Sequence, residues 1–214
     1  MLSAVEHAVE LEPGLWRWEA YHPTWKKDVA SVLVSSGNDV VLVDPLAPRD
    51  DAAWAFWQAL DDASGAGRRL TVIVTVPDHA RSAPAIVSRY PQTRIHVALR
   101  RARRSLAGIE VAPLEESTPL PAGVRAFETG RADERAIWIG PQRTLVVGDI
   151  LLGISGGLSV CPAGWLPKHV TRAVVGGRLE SLLQLDIERV IPTHGAPPAE
   201  SRAALEFALA EAQS

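Results

Sequence analysis

"SLLQLDIERVIPTHG", from Ser181 to Gly195, passes through three kinds of backbone in one short run. Its first residues continue the helical spacing of "GGRLESLLQL". Ile187, Val190 and Ile191 then mark a strand, which Pro192 stops. His194 is left in a loop just past a strand end, where active groups collect in α/β folds. A structural imidazole bonded to backbone is the competing role for it.

Upstream, "RTLVVGDIL" is a strand candidate carrying Gly148 and Asp149, and "VRAFETG" and "AIWIG" are two more. A carboxylate that follows a buried strand must be paired or coordinated if it is itself buried. Asp149 is therefore expected to face a site, with a metal ion or an arginine as partner. Near the N-terminus, "LWRWEAYH" alternates as a strand, and "VASVLVSSG" and "DVVLVDPLAP" form a hairpin. "RDDAAWAFWQALDDASGAG" has helical spacing closed by Gly65 and Gly67. "RLTVIVTV" is a continuous apolar run that suits a strand covered on both faces. "SAPAIVSRYP" is expected to be helical, with Ser82 as N-cap and Pro84 in the first turn, and "RIHVAL" is another strand. The glycine-rich "GISGG" and the following "LSVCPAG" read as loop. "PAESRAALEFALAEAQS" is an amphipathic helix with Leu205, Ala208, Leu209 and Ala212 toward the core. This order predicts an α/β chain with two helix-covered sheets, a four-layer αββα sandwich in one domain spanning 1–214.

The 214 residues, 47% of them apolar, suffice for a sizeable core. A net charge of −3 gives no general attraction to nucleic acid or to an anionic membrane. Cys161 is the single cysteine, so no internal disulfide forms, which suits the cytoplasm. The first residues lack the basic start and apolar run of a signal peptide. No stretch approaches the roughly 20 apolar residues of a membrane span. "LRRARRS" holds Arg100, Arg101, Arg103 and Arg104 without interleaved aromatics, the pattern of a solvated face rather than a nucleic-acid surface. Trp16, Trp18, Trp25, Trp54 and Trp57 crowd the first third, either as packing or as the wall of a ligand pocket.

Four markers stand in order: "VVLVDPLAP", "VIVTVPDHARSA", "TLVVGDILL" and "SLLQLDIERVIPTHG". Their order and spacing resemble the metallo-β-lactamase fold superfamily over nearly the whole chain. Pro192-Thr193-His194-Gly195 and the Gly148-Asp149 pair are the most specific pieces. The resemblance implies an αββα fold, one or two metal ions, and hydrolysis of an ester, amide or phosphodiester by activated water. It also implies a His-x-His-x-Asp-His loop after the strand ending in Thr, and a further histidine from a later loop. An aspartate at the position of Asp149 would bridge the metals, and a histidine at that of His194 would complete the second ion's shell.

The chain departs from this pattern. "TVPDHARSA" has no His-x-His, and "ETGRADERAIWI" has no histidine, so the three histidines of the first metal position are absent. One register, with two residues deleted after Thr75, matches Asp78 and His79 to the family's Asp-His pair. The second position then keeps Asp78, His79, Asp149 and His194, two carboxylates and two imidazoles for one divalent ion, Zn, Fe or Mn. Asp78 and Asp149 are also the catalytic candidates there, orienting water. In the other register Ala80 and Arg81 replace the pair and no metal is held. The Arg81 guanidinium then takes the vacated space, facing an anion or Asp149. Both registers stand at the level of sequence.

Arg81, His22 and Trp25 are the candidate substrate contacts. His22 and Trp25 lie with Lys26 and Lys27 in the loop between the first two strands, where surface packing is the alternative role. Asp44 is expected to close its strand by local hydrogen bonds. "GISGG" matches Gly-x-Ser-x-Gly at Ser155, but no helix follows, which a nucleophile elbow needs. The expected ligand is a small molecule, and the incomplete metal site argues against a β-lactam. Two functions follow: a one-ion hydrolase, or a metal-free protein on the same fold that binds a small ligand or a protein partner without chemistry.

Overall fold

Strand pairing begins with hairpins and then turns parallel. The computed structural model describes residues 2–5, 7–49, 51–98 and 106–214, so the arginine-rich run lies outside the described residues. One sheet holds β1 (Val9–Glu12), β2 (Leu15–His22), β3 (Lys27–Ser36), β4 (Asp39–Val43), β5 (Arg69–Val74), β6 (Arg94–Val97) and β7 (Ala112–Pro113), adjacent in chain order. The first four pair antiparallel, and β4 through β7 pair parallel. Parallel neighbours need crossovers. Helix α1 (Asp51–Gly65) joins β4 to β5, and α2 (Ala83–Arg89) joins β5 to β6.

The second sheet has the order β13 (Arg189–Pro192), β10 (Thr144–Val147), β9 (Arg135–Ile139), β8 (Val124–Glu128), with β13 parallel to β10. A separate hairpin is formed by β11 (Leu151–Ile154) and β12 (Gly157–Val160). The sheets face each other through Val32, Val34, Val41, Val43 and Ile73 on one side and Val124, Ile137, Ile139, Val146 and Ile191 on the other. The outer face of the first sheet packs on Phe56 and Leu60 of α1 and Ile86 of α2. Helices α3 (Arg172–Leu179) and α4 (Ser201–Gln213) cover the second sheet with Val175, Leu179, Leu205 and Leu209. These three apolar layers make the αββα sandwich. No helix among the described residues is long and apolar enough to cross a membrane.

The structure corrects several local readings. "RTLVVGDIL" is two strands, because the chain bends at Gly148-Asp149 between β10 and β11. "LSVCPAG" is partly strand: Ser155 (φ 50°) and Gly156 (φ 80°) are both left-handed, the backbone of a two-residue hairpin turn. Ser155 is thus an exposed hairpin tip. Ser82 holds the N-cap position of α2, but its hydroxyl makes no capping bond and instead accepts the Ala47 amide at 2.9 Å. Helix α3 starts earlier than its apolar spacing suggests, because Thr171 accepts the Val174 amide at 3.2 Å as a true N-cap. After Leu179 the helix tightens into a 3-10 turn, Glu180–Gln184.

One crossing fixes the loop after β13. The Gly153 amide donates to the His194 carbonyl at 2.9 Å. A Cβ on Gly195 would lie 2.0 Å from the Gly153 oxygen, and a Cβ on Gly153 would lie 2.2 Å from the Ala196 oxygen. Gly195 also has φ +86°, which side chains disfavour. Gly195→Ala is expected to cost about 2–4 kcal/mol by urea denaturation, since backbone rather than a flexible side chain must move. A loss within about 0.5 kcal/mol would show that the two loops are not locked together.

Candidate metal centre

The site forms where β4 and β5 end side by side. Asp44 follows β4 in a left-handed conformation (φ 48°) and is fully buried. Asn and Asp tolerate that backbone better than most residues. A buried carboxylate needs partners, and Asp44 has three. Its Oδ1 accepts the Thr75 amide at 2.8 Å, and its Oδ2 accepts the Thr75 hydroxyl and lies 2.8 Å from His79 Nδ1. The carboxylate holds the Nδ1 proton, which leaves the lone pair of neutral His79 on Nε2.

His79 lies on a single 3-10 turn, Pro77–Ala80. Successive side chains on such a turn diverge by about 120°. His79 points inward and is fully buried, while Asp78 points outward and is exposed. Asp149 sits in the bend after β10. Gly148 permits that bend, because a Cβ there would lie 2.6 Å from the Thr75 hydroxyl and 2.8 Å from Glu134 Oε1. Asp149 Oδ1 lies 3.1 Å from both His79 Nε2 and His194 Nε2, and the two imidazole nitrogens are 3.2 Å apart. Donor atoms of His79, Asp149 and His194 all fall within 4.8 Å of one another. Asp78 lies outside this group, on the rim of the cavity above it. The fit to a cation follows from the donor set. Two imidazole nitrogens and a carboxylate oxygen aim their lone pairs at one small volume, which requires a shared proton or a metal ion.

Two arginines flank the centre. Arg81, in a strained backbone conformation (φ 42°), donates Nη1 to the carbonyls of Ala30 and Asp44, both at 2.9 Å. Its Nε and Nη2 are buried without a hydrogen-bond partner. Arg131 lies with Nη1 3.1 Å from Glu134 Oε2 and 3.9 Å from Asp149 Oδ2. Glu134 is fully buried, and its Oε1 accepts the Ile150 amide at 2.8 Å. Burial pushes the Glu134 carboxyl up to about 8, against the pull of Arg131.

Trp25, from the β2–β3 turn, covers the centre. Its ring lies 5.5 Å from that of His79 and 5.6 Å from that of His194, with the Arg81 guanidinium 5.7 Å away. His22 stacks on it at 4.0 Å and 18°. Burial and then the Arg81 charge lower the His22 pKa from its ordinary value, and its Nδ1 accepts the Trp25 amide at 3.3 Å. A cavity of ≈ 900 Å³ opens above Asp149 and His194, walled by Trp25, Leu152, Ile154 and Trp165, with Glu19, Lys27, Asp28 and Asp78 also on its lining.

Sequence spacing finds His79, Asp149 and His194, which the fold brings together. It misses Asp44 as the group that orients His79. The available signal is strand adjacency: β4 and β5 are neighbours in register, with Val43 opposite Ile73, so Asp44 and Thr75 end at one edge. It also misses Arg131 and Glu134, whose only signal is that they stand in the loop "TGRADE" before β9.

Set beside solved structures, the chain superposes on the DIM-1 metallo-β-lactamase with a TM-score of 0.70, covering 96% of each chain at 14% identity. The chain has the metallo-β-lactamase fold. The same fold is shared with VMB-1, at TM-score 0.66 and 14% identity over 96% of this chain and 95% of that one. It is also shared with the FIM-1 metallo-β-lactamase from Pseudomonas aeruginosa in its mono-zinc form, at TM-score 0.64 and 14% identity over 100% and 99%. No family model and no curated protein matches the sequence. On this metallo-β-lactamase fold, the three-donor cluster lies at the edge where β4, β5, β10 and β13 end together.

The charges couple the centre to pH. Burial and Arg81 push His79 down, but Asp44 and Asp149 outweigh them, so its pKa ends above 6.5. Burial pushes Asp149 up, but the bonds from His194 and His79 prevail and hold it well below 3.8. In metal-free protein the His79 contribution is fully present below the unfolded value near 6.5 and is lost as pH rises through the folded pKa. The Asp149 contribution is present above about 3.8 and is lost on acidification. Stability in EDTA is therefore expected to peak between about pH 4 and 6.5 and to fall toward pH 9. Glu134 adds a decline of the same sign between 4.5 and about 8, which places the maximum at the acid end of that range, and the comparison with Asp44→Asn isolates His79. Urea midpoints across this range should fall less steeply on the alkaline side in Asp44→Asn. Parallel profiles would refute the Asp44–His79 coupling.

Proposed function

We propose that the chain is a hydrolase of a small molecule with an ester- or phosphodiester-type bond, using one divalent metal ion held by His79, Asp149 and His194. The observation that carries this reading is the convergence of three donor atoms within 4.8 Å, one of them oriented by a buried carboxylate. Three protein ligands with an open position are the pattern of catalytic zinc, and two imidazoles with one carboxylate also suit iron or manganese. Such an ion supplies a Lewis acid and lowers the pKa of water toward about 7. The chain's own residues do the remaining work. Asp44 fixes the His79 ring and tautomer. Asp149 meets both imidazoles through Oδ1, which leaves Oδ2 to orient the attacking water. Trp25 shields the centre from bulk solvent. Asp78, exposed on the rim, is suited to touching substrate rather than to ligating. The single Cys161 is buried and unpaired, and the reducing cytoplasm is the setting we assign.

A second reading has its own observation. One extra proton on His79 would satisfy Asp44 and Asp149 at once, and the site would then close without metal as a binding cleft. Metal content decides between them. Elemental analysis of untagged protein is expected to give about one equivalent of Zn, Fe or Mn, lost in Asp149→Ala, with esterase or phosphodiesterase turnover lost in EDTA. Absence of metal after incubation with each ion would overturn the hydrolase and leave the metal-free protein. Calorimetric titration of Asp44→Ala should show metal affinity weakened by about 10- to 100-fold, the usual effect of removing a carboxylate behind a ligating histidine. Unchanged affinity would remove Asp44 from the centre.

A further inference from the structure

Charge is distributed unevenly around the ≈ 900 Å³ cavity. The cations nearest the donors are closed off. Arg81 is tied to two carbonyls, and its remaining nitrogens are buried under Trp25. Arg131 is directed at Glu134 and Asp133. The carboxylates of the lining behave in the opposite way. Asp28 and Asp78 are exposed and have no ion-pair or hydrogen-bond partner among the described residues. Glu19 is also on the lining, bound to Arg17. Lys27 is the one ammonium there among the described residues.

The remaining wall is apolar and open. Trp25 comes from the β2–β3 turn and Ile154 from the tip of the β11–β12 hairpin, with Trp165 just beyond that hairpin. Ile154 is 51% and Trp165 50% exposed. Large apolar side chains left open around a concave site mark a contact surface. An open indole face also attracts cations, and free carboxylates draw cations and repel anions.

We propose that the substrate of this site is a cationic molecule with a flat apolar body. The body lies against Trp25, Ile154 and Trp165, and an ammonium group sits at the Asp28–Asp78 rim. The word substrate rests on the hydrolase reading; the binding itself uses none of the three metal-facing donors.

Three probes with one phenylpropyl body, ending in trimethylammonium, hydroxyl or carboxylate, test this by calorimetry on the full chain. The chain is first treated with EDTA, so that no ion attracts the carboxylate. The ammonium probe is expected to bind at least about 10-fold tighter than the carboxylate probe, with the alcohol between them. In the double variant Asp28→Asn, Asp78→Asn the preference should shrink below about 3-fold, while Trp165→Ala should weaken all three by a similar factor. A carboxylate probe that binds as tightly as the ammonium, a preference that survives both Asn substitutions, or no binding by any probe would overturn the proposal. Metal content of the same preparation, measured before the EDTA treatment, keeps the two readings apart. Metal without an ammonium preference sinks this inference alone, and an ammonium preference without metal sinks the hydrolase alone.

Discussion

The buried Asp44 carboxylate is the interaction on which the centre depends. It is placed by the end of β4, takes the amide and hydroxyl of Thr75 from the end of β5, and reaches His79 on the next turn. Two segments distant in sequence, the end of β4 and the run from Thr75 to His79, are thereby fixed to one charged group in a low-dielectric interior. An uncompensated carboxylate there would be costly, so the geometry around it has little freedom. The direction of His79 Nε2, and hence the whole donor cluster, follows from that constraint.

The fold was largely legible because its signals are periodic and repeated. Hairpins announce themselves through "SSGND", and parallel strands through continuous apolar runs such as "LTVIV". Legibility fails where one residue type serves two structures. "GISGGLSV" looks like a flexible loop by composition, yet left-handed Ser155 and Gly156 turn it into a tight hairpin. That hairpin carries Ile154 to the cavity, so the misread stretch is also part of the site's wall.

At the centre, sequence names the participants but not their directions. Asp78 and His79 are adjacent in the chain, and spacing alone makes them a pair. On a 3-10 turn they must diverge, and only the structure shows that the imidazole goes in and the carboxylate goes out. The same limit applies to Arg81, which a linear reading places in an emptied pocket. Its guanidinium is spent on the carbonyls of Ala30 and Asp44 and sealed under Trp25. Asp44 and Thr75 are invisible as partners in the linear sequence because their closeness comes from parallel pairing across a helical crossover.

The loop holding His194 is stitched to both sheets. The Thr193 amide donates to Val147 in the second sheet, and the Thr193 carbonyl accepts the Ala30 amide from the first, each at 2.9 Å. The floor of the cleft is in effect a rivet through the sandwich, whereas its walls are two projecting hairpin ends that carry no such bond between the sheets among the described residues. Substitutions on those hairpin ends would therefore reshape the cavity wall while leaving the donor geometry beneath in place.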